Sequence, residues 1–170
     1  MMHVASPDSK PRVGVECVEN STLRIAIIGA GGVGGYLAGR LAQAGRPVLR
    51  IARGAHLEAI RHHGLHVESI AGDLVTRDFE VTDTPHSAGR VDAAFVCVKA
   101  WQVPEAATAI LPLLGPQSVV VALQNGVGAA DEIAAVVGAG RVLGGLIRIV
   151  SFVAGPGGAI ASSCRTALGE

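Results

Sequence analysis

Gly29, Gly31 and Gly34 stand in a Gly-x-Gly-x-x-Gly spacing, with an apolar run at 24–28 before them and apolar residues at helical intervals after them. A strand that passes through such a turn into a helix leaves the first helical N–H groups aimed at an anion, so the spacing predicts the diphosphate cradle of a dinucleotide. Gly29 permits the tight turn, Gly31 lets the backbone approach the diphosphate, and Gly34 lets the helix pack closely on the strand. Ala30, Gly32 and Val33 complete the loop. The chain holds 23 glycines, so the motif draws its weight from the flanking strand and helix.

The identity of the dinucleotide is read at the end of the next strand, 48–52. An acid there bonds the ribose 2′-hydroxyl of NAD, and a cation suits the 2′-phosphate of NADP. The residue is Arg53, and the nearest acid, Glu58, lies a turn or more into the following helix. A guanidinium grips phosphate through charge-assisted hydrogen bonds, which favours NADP(H). The alternative is a solvated arginine ahead of a helix.

Two more sites follow strands. In Val98-Lys99-Ala-Trp-Gln, Lys99 would stand at the same sheet edge as the glycine loop, able to bond a ribose, a phosphate or a carboxylate; Lys10 is the other lysine of the chain. In Leu123-Gln-Asn125-Gly-Val-Gly128, Asn125 could present an amide to the nicotinamide end. Read separately, Lys99 is equally a helix-start surface residue and Asn125 equally a turn residue. His62, His63 and His66 are interrupted by Gly64 and lack a suitably spaced acid or cysteine, so they read as a solvated helix end rather than a metal site.

These residues need a scaffold of alternating strands and helices. The pattern gives a helix ending at Gly45, a helix over 55–63 ended by Gly64, and a β-hairpin from 65–70 and 74–81 around Ala71-Gly72-Asp73. The second half reads as a strand over 91–98, a helix over 103–114, a strand over 118–123, a helix over 128–137 and a strand over 141–152. Gly155-Pro-Gly-Gly158 then turns the chain back. The expected fold is α/β: a Rossmann-like, doubly wound, mostly parallel sheet with helices on both faces and a hairpin insertion near 65–81. Arg50 interrupts the second strand, and an edge or neighbour of that strand is expected to accept its charge. Residues 1–22 read as a disordered extension, or as residues upstream of the real start, ahead of a dinucleotide-binding domain over 23–170.

Composition narrows the function classes. A chain of 170 residues makes one ordinary domain. Charged residues are 16%, below the usual about 25%, and mean hydropathy is +0.45. A sheet covered on both faces consumes part of that apolar excess, and a surface meant for a partner would use the rest. Net charge is zero, which gives no reason to expect nucleic acid or an acidic membrane. No apolar run reaches the roughly 20 residues of a membrane span, and the first residues lack a signal-peptide core, so a cytoplasmic location is expected. Cys17, Cys97 and Cys164 are widely spaced and read as free thiols.

Four segments in order, Arg24-Ile-Ala-Ile-Ile-Gly-Ala-Gly-Gly-Val-Gly-Gly-Tyr36, Ile51-Ala-Arg53-Gly, Val98-Lys99-Ala-Trp-Gln-Val and Gln124-Asn125-Gly-Val-Gly128, together closely resemble the ketopantoate reductase (2-dehydropantoate 2-reductase) family. The resemblance runs from about residue 23 to 170. It implies an NADPH-dependent reductase converting 2-dehydropantoate to pantoate on the route to pantothenate and coenzyme A. On that resemblance Gly29, Ala30, Gly31, Gly32, Val33 and Gly34 bind the diphosphate, Arg53 the 2′-phosphate, Lys99 the cofactor, and Asn125 both cofactor and substrate.

Members of that family continue into a helical second domain with the catalytic lysine proton donor and most substrate contacts, and this chain stops about where that domain would begin. No catalytic residue is therefore expected within it, since reduction needs an acid for the developing alkoxide. Tyr36 lies in the first helix and no histidine follows His86; only Lys99 could stand in. The readings left open are a ketopantoate reductase half, inactive alone, a reductase of another 2-oxo acid, and a non-catalytic NADP-binding module. The last would self-associate through its exposed domain interface.

Overall fold

The computed structural model describes residues 23–162. The expected N-terminal extension lies outside those residues, as do Cys17 and Cys164; Cys97 is a free thiol.

Short β-branched and aliphatic runs build a six-stranded sheet of β1 (Ile25–Ile28), β2 (Val48–Ile51), β5 (Glu80–Thr82), β6 (Val91–Val96), β7 (Leu114–Ala122) and β8 (Val142–Gly144). Its order is β5-β2-β1-β6-β7-β8 and every pairing is parallel. Counted within this sheet the order is 3-2-1-4-5-6, the doubly wound arrangement in which direction reverses between β1 and β6. Ligands bind in the crevice beyond the carboxyl ends at that reversal.

Alternation along the strands serves two cores. Ala26, Ile28, Leu49, Ile51, Ala94 and Val96 face α3 (Val103–Ile110) and α4 (Ala129–Val137), where Val103, Ala107, Ile110 and Ile133 are fully buried. Ile25, Ile27 and Val48 face α1 (Gly32–Gln43), and Ala52 packs with Leu57 and Ile60 of α2 (Gly54–His63). Gly45 follows α1 at φ 70°, and Gly64 caps α2, as the sequence predicts.

A second sheet covers the outer side of α1. It contains β3 (Leu65–Ser69), β4 (Leu74–Thr76), β9 (Val150–Gly155) and β10 (Gly158–Ser162) in the order β4-β3-β10-β9. The predicted hairpin is β3-β4, antiparallel from Leu65↔Thr76. Its expected second arm is shorter than 74–81: Thr76 Oγ1 accepts the Asp78 N–H, and the chain bends so that β5 leaves to pair with β2. The turn at 155–158 joins β9 to β10, and β10 runs parallel to β3. Sheet and helix approach closely because α1 presents glycine there: a Cβ on Gly35 would lie 2.8 Å from the Ala159 Cβ, and one on Gly39 2.9 Å from Val67 Cγ2.

Two expected elements are divided. The helix over 103–114 is α-helical only to Ile110, because Pro112 has no N–H to continue the ladder; Leu111–Leu113 tightens to a 3-10 turn and β7 starts at Leu114. The strand over 141–152 becomes β8 and β9, one in each sheet.

Candidate functional site

The carboxyl ends of β1, β2 and β6 open on a cavity of about 340 Å³. Gly29, Ala30 and Gly31 line it from β1, Arg53 and His56 from the start of α2, Val98 and Lys99 from the segment after β6, and Gln102, Glu105 and Ala106 from the start of α3. Val153 of β9 closes one side.

The glycine turn is built as its spacing requires. Gly29 takes φ 119°, and a Cβ there would lie 2.9 Å from the Cys97 carbonyl carbon, so the β1 and β6 ends meet through bare backbone. Gly34 faces the Gly29 carbonyl oxygen too closely for any side chain. At Gly31, by contrast, a Cβ would meet nothing within 4 Å and would point into free space. Gly32 and Gly34 are buried behind the turn and Val33 is half-buried, so these three shape the loop while the first three residues of the motif face the cavity.

Arg53 and Lys99, one from each side of the strand-order reversal, share this cavity. Arg53 Nη1 donates to Glu105 Oε1 at 2.6 Å, with both side chains mostly exposed. Lys99 is exposed and has no ion-pair partner among the described residues. Its turn is anchored twice: the Lys99 N–H donates to Gln102 Oε1, and Gln124 Nε2 donates to the carbonyls of Val96 and Val98 at 2.9 and 3.2 Å. Asn125 is exposed after β7 and does not line the cavity. Trp101 is 79% exposed.

The sequence reading missed His56 and Glu105, and it read Cys97 only as a free thiol without placing it at the cavity. His56 Nδ1 accepts the Gly157 N–H at 3.1 Å, fastening α2 to the β9-β10 turn. Burial, followed by the nearby Arg50 charge, holds this imidazole below its usual 6.5, so it is neutral at physiological pH. Burial pushes the Cys97 thiol up to about 12 despite the opposing pull of Arg50, which makes it an unreactive thiol. An acid in the first turn of α3 was a legible helix-start signal at Glu105; its approach to Arg53 depends on how α2 and α3 pack.

Arg50 departs from expectation. Its neighbours across the sheet are Ile27 and Val81, neither of which can accept a charge, and its side chain is 1% exposed beneath α1.

The residues present fit a dinucleotide. The cradle at Gly31 is space a Cβ would fill, two cations flank it, and Gln124 Oε1 is buried at the same sheet edge with no partner. Among the described residues no three metal-ligating side chains converge, and no helix is long and apolar enough to cross a membrane.

The profile of the family described as ketopantoate reductase PanE/ApbA matches residues 25–170. A 2-dehydropantoate 2-reductase of Mesorhizobium japonicum is 42% identical over 106 residues, which are 62% of this chain and 32% of that protein. The enzyme of the same name from Pyrococcus abyssi is 32% identical over 79% of this chain and 43% of its own length. Among solved structures, the 2-dehydropantoate 2-reductase of Porphyromonas gingivalis superposes with a TM-score of 0.77 at 34% identity, covering 84% of this chain and 52% of that one. The chain thus spans about a third to a half of the length of these relatives. With the motifs in order, the strand order they require and a match across the whole described fold, the chain belongs to the ketopantoate reductase PanE/ApbA family.

Proposed function

We propose that this chain is the NADPH-binding portion of an oxidoreductase that reduces 2-dehydropantoate to pantoate in pantothenate biosynthesis, in the cytoplasm. The observation that carries the reading is the convergence of the glycine turn, Arg53 and Lys99 on one cavity at the reversal of strand order. The loop from Gly29 through Ala30, Gly31, Gly32 and Val33 to Gly34 would hold the diphosphate through backbone N–H groups, and Arg53 would pair with the 2′-phosphate. Lys99 would bond the cofactor on the opposite side, and Asn125 would reach the nicotinamide end and the substrate. Bound there, the reduced nicotinamide supplies the hydride for a carbonyl carbon.

The acid that protonates the resulting alkoxide is not among these cavity residues in this reading. His56 is neutral with Nδ1 occupied, and Lys99 serves the cofactor. The aligned stretches cover only about a third to a half of the matched relatives, which supports a proton donor and substrate contacts in a further, helical region. Val127, Leu146 and Phe152 are exposed apolar side chains that such a region or, without it, self-association would cover.

The test is titration of the 170-residue protein with NADPH and NADH, followed by the same titrations of Arg53→Ala. Tighter NADPH binding that Arg53→Ala abolishes, without turnover of 2-dehydropantoate, is expected. Equal affinity for the two cofactors overturns the NADP assignment, and turnover by these residues alone overturns the division of labour.

One observation favours NADH instead: Glu105 is an acid within the cavity and already occupies Arg53. A D-mandelate dehydrogenase solved with NADH shares 26% identity and a TM-score of 0.74, so this scaffold also serves that cofactor. The same titration decides between them.

A further inference from the structure

Arg50 sits at the third position of β2, and the two-residue period of the strand turns it toward α1 with Ile27 and Val48. Its guanidinium reaches the first turn of that helix: Nη2 would be 3.4 Å from a Cβ on Gly35. The group is buried, and its Nε and Nη1 have no hydrogen-bond partner. Desolvation lowers its pKa to about 10, which leaves it cationic at neutral pH. No carboxylate pairs with it among the described residues.

The surroundings add positive potential. The first turn of α1 contains no acid and its N-cap, Gly31, has no side chain to occupy the free N–H groups. A helix N-terminus behaves as roughly half a positive charge, and here a whole buried charge stands behind it. The titratable groups facing Arg50 are Cys97, neutral because burial pushes its thiol up to about 12, and His56, which Arg50 helps to keep neutral. An unpaired buried cation is among the more expensive features a fold can hold, and this one lacks only an anion.

We propose that Arg50 is a positioning residue for the dinucleotide diphosphate: a buried charge behind the glycine turn that is balanced only when an anion occupies the start of α1. It contacts the ligand through the field at Gly31 to Gly35 rather than directly, and it lowers the stability of the free protein in exchange for affinity. The inference rests on the dinucleotide reading of the cavity.

The experiment compares the wild-type protein with Arg50→Met, Arg50→Lys and Arg53→Ala, using NADP+ and 2′-AMP as probes. 2′-AMP carries the 2′-phosphate and no diphosphate, so the two ligands separate the two arginines. Arg50→Met should weaken NADP+ binding by about tenfold while leaving 2′-AMP unchanged. Arg53→Ala should weaken both. Arg50→Lys, which keeps the charge, should retain most of the NADP+ affinity and serves as the reporter if the methionine variant does not fold. In the ligand-free state Arg50→Met should melt at a higher temperature and should raise the His56 titration midpoint followed by NMR.

Unchanged NADP+ binding in Arg50→Met overturns the proposal, as does parallel loss of both probes, which marks general damage. If Arg50→Met does not fold, Arg50→Lys losing NADP+ binding overturns it. Wild-type protein that binds neither probe removes the dinucleotide reading itself, and this inference with it.

Discussion

Arg53 Nη1 lies 2.6 Å from Glu105 Oε1, joining the start of α2 to the first turn of α3 across the mouth of the cavity. The pair holds Arg53 in place, yet its carboxylate occupies the guanidinium that a 2′-phosphate would need. Both side chains are mostly exposed, which limits the pair to about 0.2–1 kcal/mol.

Glu105→Gln should therefore strengthen NADPH binding by about two- to fivefold and leave NADH binding nearly unchanged. Calorimetric titration at moderate salt checks this. Weaker NADPH binding in the variant would mean that the carboxylate orients Arg53 rather than competing for it.

Gly34 and Gly31 should fail differently when changed to alanine. Gly34→Ala drives a methyl into the Gly29 carbonyl, and unfolding in urea should reveal a loss of about 1–3 kcal/mol. Gly31→Ala meets no protein atom within 4 Å, so its stability should match the wild type while dinucleotide binding falls at least tenfold. Equal stability losses would contradict the contrast.

His56 gives the stability curve a pH dependence of definite sign. Its folded pKa is lowered from 6.5, chiefly by burial, so the unfolded chain takes up this proton first as pH falls. Stability from this site is complete above 6.5 and declines below it until the folded form also protonates. Asparagine keeps an acceptor for the Gly157 N–H, so urea midpoints between pH 7.5 and 5 should decline less steeply in His56→Asn than in the wild type.

Lys99→Met should separate binding from folding. The side chain is exposed and has no ion-pair partner among the described residues, so the thermal midpoint should stay within experimental error, while NADPH affinity falls several-fold and its salt dependence weakens. A drop in melting temperature would assign Lys99 a structural task.

The sheet and its helices were legible because local signals agree with the final packing. Gly45 and Gly64 stop α1 and α2 where the pattern ends, and the glycines at 155–158 turn β9 into β10. What one period cannot reveal is which sheet a strand joins. Residues 74–81 read as one arm of a hairpin, yet β4 and β5 belong to different sheets because the chain bends after Thr76. The same blindness hid the division of 141–152. At the site, Arg53 and Lys99 followed strands and so could be found. His56 and Glu105 reach the cavity only through tertiary packing, and Arg50 was visible as an anomaly whose surroundings no linear pattern contains.

The parallel pairing of β10 with β3 joins segments some ninety residues apart, sealed by the His66 N–H donating to the Gly157 carbonyl. Loop closure over such a span is slow, so the His66 amide should be among the last to gain protection in pulse-labelled refolding. On a ribosome the face of α1 at Gly35 would stay wet until β10 brings Ala159 against it, while Leu65 and Val67 can already pack on Gly39. The vulnerable interval therefore lasts until the small sheet receives β10, and is not set by β1 and β2, which come first.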